Sequence, residues 1–214
     1  MAIPPHLRRD ALAQLLTEKP LLHDDPAHGR GSRRFLSLSD RSLAYLAASV
    51  SDKSITLETG NGLTTLLLTV IAGKHFSISP DKVVFDRVRE FLRDHQWAVP
   101  PDGLVCICAG SEMVLPRESF PLLDLVLIDG NHGFPLPFLD WFYTSKLLRT
   151  GGIVIIDDCQ LWTGNTLKDF LMKEPEWKPV FEDARKTYAF QKIAPTSLTK
   201  DWYQQAAVMA WSER

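Results

Sequence analysis

Two short apolar runs constrain the fold of this chain more than any other feature: LDLVLID at residues 123–129 and GIVIID at residues 152–157. Nearly every position in both runs is apolar, so a strand built from either one must be covered on both faces. Such coverage is expected of central strands in a parallel sheet, whose faces are packed by the connecting helices. The two runs therefore predict an α/β fold with parallel strands at its centre.

Segments typical of strands and helices alternate around these two runs. Strands are predicted at residues 55–58, 75–79 and 104–109, and helices at 63–72, 80–95, 111–115, 138–148 and 165–173. Two extended segments, 178–182 and 186–193, are joined by a short polar link and predict an antiparallel hairpin. The pattern predicts a doubly wound, Rossmann-like, mostly parallel seven-stranded sheet with a C-terminal antiparallel hairpin and helices on both faces.

The remaining segments flank this core, which is expected to span residues 51–194. Residues 1–50 are predicted to be an N-terminal extension, with a helix at 5–17, a loop at 20–34, and a second helix that Ser39 caps. Thr150-Gly151-Gly152 is predicted to end the helix before the last parallel strand. Residues 195–214 are predicted to hold a C-terminal helix from about 198 to 211.

The stretch ITLETGNG, residues 55–62, predicts a nucleotide-binding loop at the end of the first strand. A dinucleotide fingerprint would place a third glycine where Thr65 stands, and no phosphate-loop lysine follows. Glu58 would repel phosphates and attract a cationic ligand. S-adenosylmethionine (SAM) carries an ammonium and a sulfonium and no phosphate, so the loop favours SAM over NAD.

The motifs LETGNGLTTLLL (57–68) and DLVLIDGNHGFPLPFLDWFYTSKLLRTGGIVIIDD (124–158) resemble those of class I SAM-dependent methyltransferases. The likeness is to the small bacterial O-methyltransferases of the macrolide and sugar type (methyltransferase family 24-like), and it covers roughly residues 35–193. It implies methyl transfer to a hydroxyl oxygen of a small-molecule acceptor. The implied cofactor-binding residues lie at and after the ends of the first four strands: Glu58, Thr59, Gly60, Asn61, Gly62, Ser79, Asp81, Ser111 and Asp129.

Two positions depart from the family pattern. Ser79 stands where the family usually has an acid that binds the ribose hydroxyls, and Asp81 is the alternative acceptor two residues later. Gly110-Ser111 stands where the family commonly has Asp-Ser on the adenine side. A weakened cofactor site is an expected consequence.

Three carboxylates follow the last two parallel strands: Asp129 after the fourth, and Asp157 and Asp158 after the fifth. Acids converging at neighbouring strand ends repel one another unless a cation is present, and hard oxygen ligands suit Mg²⁺. The resemblance gives these positions a metal-binding role that assists deprotonation of the acceptor. The alternative is that they cap loops or fix turns through their side chains.

His132 lies three residues after Asp129 in a polar loop. Histidine readily takes up a proton near neutral pH, and the resemblance implies that His132 is the general base. The alternative is a loop histidine that only packs or ligates. Trp162 and Asn165 follow the paired acids and are candidates for the substrate pocket.

The net charge and the cysteine content bear on the partner and on the cellular location of the protein. The net charge of −2 disfavours a nucleic-acid partner, and three unpatterned cysteines are typical of a reduced, cytoplasmic protein. No segment predicts a membrane span. Two alternatives stay open, a catalytically weak binding module and a nicotinamide-dependent enzyme, and the resemblance implies a homodimer through residues 1–50.

Overall fold

The computed structural model describes residues 5–23, 38–97, 99–100, 102–195 and 200–212. The chain divides into two compact units, residues 1–110 and 111–214. Each unit carries one of the two loop regions that the sequence marks as functional: the glycine loop lies in the first, and Asp129, His132, Asp157 and Asp158 lie in the second.

The described residues of unit 1 form four helices and three strands: α1 Pro5–Glu18, α2 Asp40–Ala48, β1 Ile55–Thr59, α3 Leu63–Ile71, β2 Lys74–Ile78, α4 Lys82–Asp94 and β3 Leu104–Ile107. Strand β2 pairs in parallel with β1 on one side and with β3 on the other. Helix α3 is buried at every position after Leu63, which is why its sequence, LTTLLLTVI, shows no polar face. The Ser39 side chain caps α2 by accepting from the backbone N–H of Ser42, as predicted.

Unit 2, over the part that the structure describes, has four helices, four strands and a short 3₁₀ helix: α5 Ser111–Val114, β4 Leu123–Ile128, α6 Leu136–Ser145, β5 Leu148–Ile156, α7 Trp162–Leu171, β6 Trp177–Asp183, β7 Thr187–Lys192, the 3₁₀ helix Trp202–Gln204 and α8 Ala206–Ser212. Strands β4 and β5 are parallel, and β7 is antiparallel to both β5 and β6. The apolar residues of β4 and β5 form a continuous buried core.

The seven strands lie in the order β3-β2-β1-β4-β5-β7-β6. This mostly parallel sheet with an antiparallel C-terminal pair confirms the predicted α/β fold class. The order is that of a doubly wound sheet, in which the chain works outward to one edge, returns to the centre and works outward again.

The terminal hairpin turns through Ala184 and Arg185, which have φ values of 50° and 58°. Two consecutive left-handed residues are the mark of a type I′ turn, the tight connection whose twist matches that of antiparallel strands. The register pairs Ile156 of β5 with Tyr188 of β7. This register brings Lys186 and Thr187 alongside the acids that follow β5.

Two predicted boundaries are wrong. Helix α6 ends at Ser145, and Thr150-Gly151-Gly152 lies inside β5 rather than ending the helix. The C-terminal helix is shorter than predicted, because Gln205 adopts an extended backbone between the 3₁₀ helix and α8. The start of that predicted helix, residues 198 and 199, falls outside the described residues.

Among the described residues, no helix combines the length and the apolar character that a membrane crossing demands.

Candidate functional site

The glycine loop, residues 59–62, is held by a dense set of hydrogen bonds within unit 1. The Gly60 N–H donates to the Ile78 carbonyl at 2.8 Å, and its carbonyl accepts from the Ser77 hydroxyl at 2.9 Å. The Asn61 amide donates to the Asp81 carbonyl at 2.8 Å. Gly60 has a φ of 109°, a conformation that side chains other than hydrogen rarely permit.

Glu58 lies beneath this loop and is fully buried. Its carboxylate accepts from the Thr64 hydroxyl at 2.6 Å and from the Thr65 hydroxyl, and His75 Nε2 lies 3.2 Å away. The Thr65 hydroxyl also accepts from the Gly62 N–H at 2.8 Å, so Glu58 is connected to the loop backbone through Thr65. These contacts give Glu58 a structural role, and its predicted contact with a cofactor amine stays a prediction.

The buried carboxylate is matched by a histidine that bridges β2 to β1. His75 is fully buried, and its Nδ1 lies 2.9 Å from the Thr56 hydroxyl. Because a carboxylate can only accept, Nε2 is the donor toward Glu58. A charged group taken out of water is costly unless it is fully hydrogen-bonded, and these partners meet that need.

Ser79, Asp81, Thr59 and Ser111 complete the predicted cofactor set. Asp81 is exposed and caps α4 by accepting from the Val84 N–H at 3.2 Å, and its own N–H donates to the Ser79 hydroxyl at 3.2 Å. The Thr59 hydroxyl is buried and has no hydrogen-bond partner among the described residues. Ser111 is buried at the start of α5. Their role in cofactor binding stays a prediction.

His23 reaches the glycine loop from the N-terminal segment. Its Nε2 lies 2.9 Å from the Asn61 carbonyl, and the neighbouring Leu22 carbonyl accepts from Arg87 at 2.8 Å. His23 therefore contacts the glycine loop within unit 1.

In unit 2, His132 and Asp158 form a close pair. His132 Nε2 lies 2.9 Å from Asp158 Oδ2. Asp158 also accepts from the Gln160 side chain at 2.6 Å. Burial acts to raise the pKa of Asp158, but the hydrogen bonds from His132 and Gln160 and the charge of Lys186 outweigh it and lower the pKa to about 2.

The backbone around His132 is tied to the first turn of α7. The buried Thr163 hydroxyl donates to the His132 carbonyl at 2.6 Å. Asp158 itself has a φ of 52°, in the left-handed region that aspartate tolerates better than most residues. The first turn of α7 and the turn after β5 thus hold His132 and Asp158 in place.

Asp157 takes a different position from its neighbour Asp158. It is 2% exposed, and its Oδ1 accepts from the Thr187 hydroxyl at 2.5 Å. Its Oδ2 accepts from Lys186 Nζ, also at 2.5 Å. Burial acts to lower the pKa of Lys186, but the charges of Asp157, Asp158 and Asp129 outweigh it and leave that pKa raised.

The predicted magnesium ligands Asp129, Asp157 and Asp158 are not brought together as a set. One ligand atom from each of Asp129, His132 and Asp158 lies within 4.8 Å of the others, and Asp157 is not in this group. The donor set is therefore two carboxylates and an imidazole rather than the all-oxygen set that Mg²⁺ prefers. With Lys186 Nζ also 3.4 Å from Asp158 Oδ1, these residues do not fit the predicted magnesium site.

Two aromatic side chains stand exposed near the His132 loop. Phe134 is 70% exposed and Trp162 is 66% exposed, and their ring centroids lie 5.9 Å apart. Phe134 is two residues from His132, and Trp162 precedes Thr163, which contacts the His132 backbone. Trp162 was a predicted pocket residue, whereas Phe134 was not.

Sequence reasoning missed several residues that hold these sites. Thr64, Thr65 and His75 surround Glu58, and Lys186 and Thr187 surround Asp157. The positions of Lys186 and Thr187 could have been predicted. When the residues of the predicted hairpin are paired one by one, its second strand aligns with the end of β5. No local pattern marks the partners of Glu58.

The fold is one that this chain shares with solved methyltransferase structures. Neither a protein-family model nor a curated protein sequence matches the chain, but many solved structures share its fold. The O-methyltransferase TomG from Streptomyces achromogenes, which is involved in tomaymycin synthesis and was solved in complex with SAM, is 15% identical. That match covers 89% of this chain and 100% of TomG, with a TM-score of 0.60.

Two further structures illustrate the range of proteins with this fold. The methyltransferase PaMTH1 from Podospora anserina, solved with S-adenosylhomocysteine (SAH) bound, is 14% identical over 91% of this chain and 90% of its own, with a TM-score of 0.58. An rRNA methylase from Streptococcus thermophilus is 17% identical over 72% of this chain and 96% of its own, with a TM-score of 0.53. At these identities the likeness establishes the fold alone.

Proposed function

We propose that this protein transfers a methyl group from SAM to a hydroxyl oxygen of a small organic acceptor. The shared methyltransferase fold supports the cofactor, and TomG and PaMTH1 were solved with SAM and SAH. The glycine loop after β1, with its left-handed Gly60, is the proposed cofactor site, since a residue without a side chain lets a ligand approach the backbone closely.

The pairing of His132 with Asp158 is the single observation that carries the reaction type. Asp158 is ionised at neutral pH, so His132 Nε2 donates its proton to that carboxylate and Nδ1 keeps a lone pair. A histidine held in one tautomer by a carboxylate is the arrangement that general-base catalysis requires.

The proposed step balances without another reactant. The acceptor hydroxyl oxygen attacks the methyl carbon of SAM in line with the carbon–sulfur bond, which breaks and leaves its electron pair on sulfur as SAH. The hydroxyl proton passes to Nδ1 of His132, and Asp158 stabilises the resulting imidazolium. The sulfonium is already a good leaving group, so positioning of the two reactants accounts for most of the remaining barrier.

The metal-assisted version of this reaction is not part of the proposal. Asp157, one of the three predicted ligands, is buried against Lys186 and Thr187. The proton transfer therefore runs through His132 alone.

A small-molecule acceptor is favoured over a nucleic acid by charge and by the exposed aromatics. The net charge of −2 offers no electrostatic attraction to a phosphate backbone, although some proteins with this fold are rRNA methylases. The Phe134–Trp162 pair offers an exposed apolar surface of the kind that a compact organic acceptor contacts.

Calorimetric titration with SAM, SAH and NAD tests the cofactor directly. We expect saturable binding of SAM and SAH with one site per chain and no heat of binding for NAD. Binding of NAD but not SAH would replace the proposal with a nicotinamide-dependent enzyme. Absence of binding for all three ligands would rule out both.

A second experiment tests the reaction. SAM carrying an isotopically labelled methyl group is incubated with panels of catechols, sugars and polyketides, and the label is followed by mass spectrometry. We expect label on oxygen for one class, and loss of turnover with unchanged SAM binding in His132→Gln. SAM binding without turnover of any acceptor would favour a binding module, and label on RNA would identify a nucleic-acid methylase.

A further inference from the structure

Two carboxylates of unit 2, those of Asp129 and Asp158, lie close to one another, and a third belongs to Asp157, the residue next to Asp158. Asp129 follows β4, and Asp157 and Asp158 follow β5. Asp129 and Asp158 belong to one group of closely spaced ligand atoms, and Asp157 is the backbone neighbour of Asp158. Like charges this close disfavour the ionised forms unless a cation compensates them.

Lys186 supplies such a cation from within the chain. Its Nζ lies 2.5 Å from Asp157 Oδ2 and 3.4 Å from Asp158 Oδ1. Its side chain is 23% exposed, so the charge is only partly screened by solvent. One ammonium thus contacts two of the three carboxylates.

The hairpin fixes the backbone position of Lys186. Its N–H donates to the Asp183 carbonyl at 2.9 Å, and its carbonyl accepts from the Cys159 N–H at 2.8 Å. The type I′ turn at Ala184 and Arg185 immediately precedes it. These backbone contacts hold the Lys186 backbone beside the turn that carries Asp157 and Asp158.

The geometry points to Lys186 as a built-in replacement for a divalent cation: its ammonium neutralises the acids of this site and excludes Mg²⁺ or Mn²⁺ from them. A divalent ion bound by Asp157 would have to displace both Lys186 and Thr187. An ion held by Asp129, His132 and Asp158 would lie beside a fixed positive charge that repels it.

The exclusion of divalent ions by Lys186 does not depend on the proposed function. Only its consequence for catalysis rests on that function. If the protein is the proposed methyltransferase, methyl transfer proceeds in the presence of a chelator. The ammonium also helps to keep Asp158 ionised, so it acts on His132 through Asp158 as a positioning residue.

Binding of Mn²⁺ to the full-length protein tests the inference without any need for turnover. Electron paramagnetic resonance counts free and bound Mn²⁺ for the wild type, Lys186→Met and Lys186→Arg. We expect no Mn²⁺ site at these acids in the wild type or in Lys186→Arg, which keeps the charge. Lys186→Met removes the charge at similar length and is expected to bind one Mn²⁺ with a dissociation constant at least about tenfold below the highest Mn²⁺ concentration at which the wild type shows no binding.

Two controls keep each outcome decisive. The double variant Lys186→Met/Asp158→Asn should lose the acquired site, and added Mn²⁺ should raise the melting temperature of Lys186→Met but not of the wild type. Lys186→Gln replaces Lys186→Met if the latter does not fold.

Two results overturn the inference. One is a wild-type Mn²⁺ site that disappears in Asp129→Asn, and the other is no Mn²⁺ binding by a folded, uncharged variant at position 186. Calorimetry with SAM on the same samples tests the proposed function independently. A protein that binds no SAM can still gain the Mn²⁺ site, so the two failures are distinguishable.

Discussion

The Nε2 atom of His132 lies 2.9 Å from Oδ2 of Asp158, and this contact joins the loop after β4 to the turn after β5. Because the carboxylate is ionised, it accepts from Nε2 and fixes the imidazole in the tautomer whose Nδ1 can take up a proton. The orientation and the tautomer of His132 both depend on this one carboxylate.

Replacement of Asp158 by asparagine tests that dependence. The asparagine amide can present its N–H₂ to the ring and stabilise the opposite tautomer, so we expect kcat for methyl transfer to fall by about 10²-fold or more. The dissociation constant for SAM should stay unchanged in calorimetry. Asp169→Asn on α7 is the matched control, and an equal loss of kcat there would show that the effect is not specific to the pair.

The lowered pKa of Asp158 predicts a defined pH dependence of stability. The folded pKa of about 2 lies below the ordinary value of 3.8, so the contribution is fully present above 3.8 and is lost as the pH falls through about 2. The shift corresponds to about 2 kcal/mol of unfolding free energy.

Urea unfolding of the wild type and Asp158→Asn measures this contribution. Between about pH 5 and about pH 2.5, the stability difference between the two proteins should shrink to less than half of its value. A difference that stays constant across this range would contradict the lowered pKa of Asp158.

Thr163 positions the backbone of His132, and its removal should affect turnover more than binding. Thr163→Val preserves shape but deletes the donor to the His132 carbonyl, at a cost of about 1–3 kcal/mol of stability. We expect kcat to fall about tenfold, with KM for the acceptor nearly unchanged. Thr163→Ser keeps the hydroxyl and should restore kcat, whereas equal losses in both variants would assign the effect to packing.

The sequence was sufficient to predict the fold because its apolar runs leave few alternatives. The apolar residues of β4 and β5 require cover on both faces, and the helical spacing of the intervening segments provides it. The hairpin was also predictable, since Asp183-Ala184-Arg185 supplies a polar link of turn length. Local patterns of this kind depend only on neighbouring residues.

Side-chain partners were harder to predict because they depend on register. Asp157 and Asp158 are adjacent in sequence and were both predicted as metal ligands, yet one is buried against Lys186 and the other pairs with His132. Which acid turns inward is decided by the alignment of β7 with β5 and by the left-handed backbone of Asp158. Neither is visible in residue spacing.

Glu58 illustrates a different limit. Its charge was read from the sequence as an attraction for a cationic cofactor, but Thr64, Thr65 and His75 surround the carboxylate in the structure. The two threonines come from the first turn of α3, which lies over the end of β1. A carboxylate at a strand end can therefore brace the loop that follows it, and residue type alone does not separate this role from ligand binding.

The two glycines of the loop should respond differently to alanine. Gly60 has a φ of 109° and both of its backbone polar groups are engaged, so Gly60→Ala should lower the unfolding free energy by about 1–3 kcal/mol. A Cβ on Gly62 would lie 3.0 Å from His23 Nε2, a side-chain atom that can move, so Gly62→Ala should cost less than about 1 kcal/mol. Urea unfolding compares the two, and equal costs would contradict the assigned backbone constraint.

Trp162 provides the test of the proposed acceptor surface. Trp162→Ala removes most of an exposed ring that contacts Phe134, and the lost apolar contact with a bound acceptor corresponds to about 1–2 kcal/mol. We expect KM for the acceptor to rise about tenfold while the dissociation constant for SAM is unchanged. Trp202→Ala is the matched control, because Trp202 is 63% exposed and also pairs with one aromatic neighbour, Tyr203. An unchanged KM in Trp162→Ala, or the same rise in Trp202→Ala, would place the acceptor elsewhere on the protein.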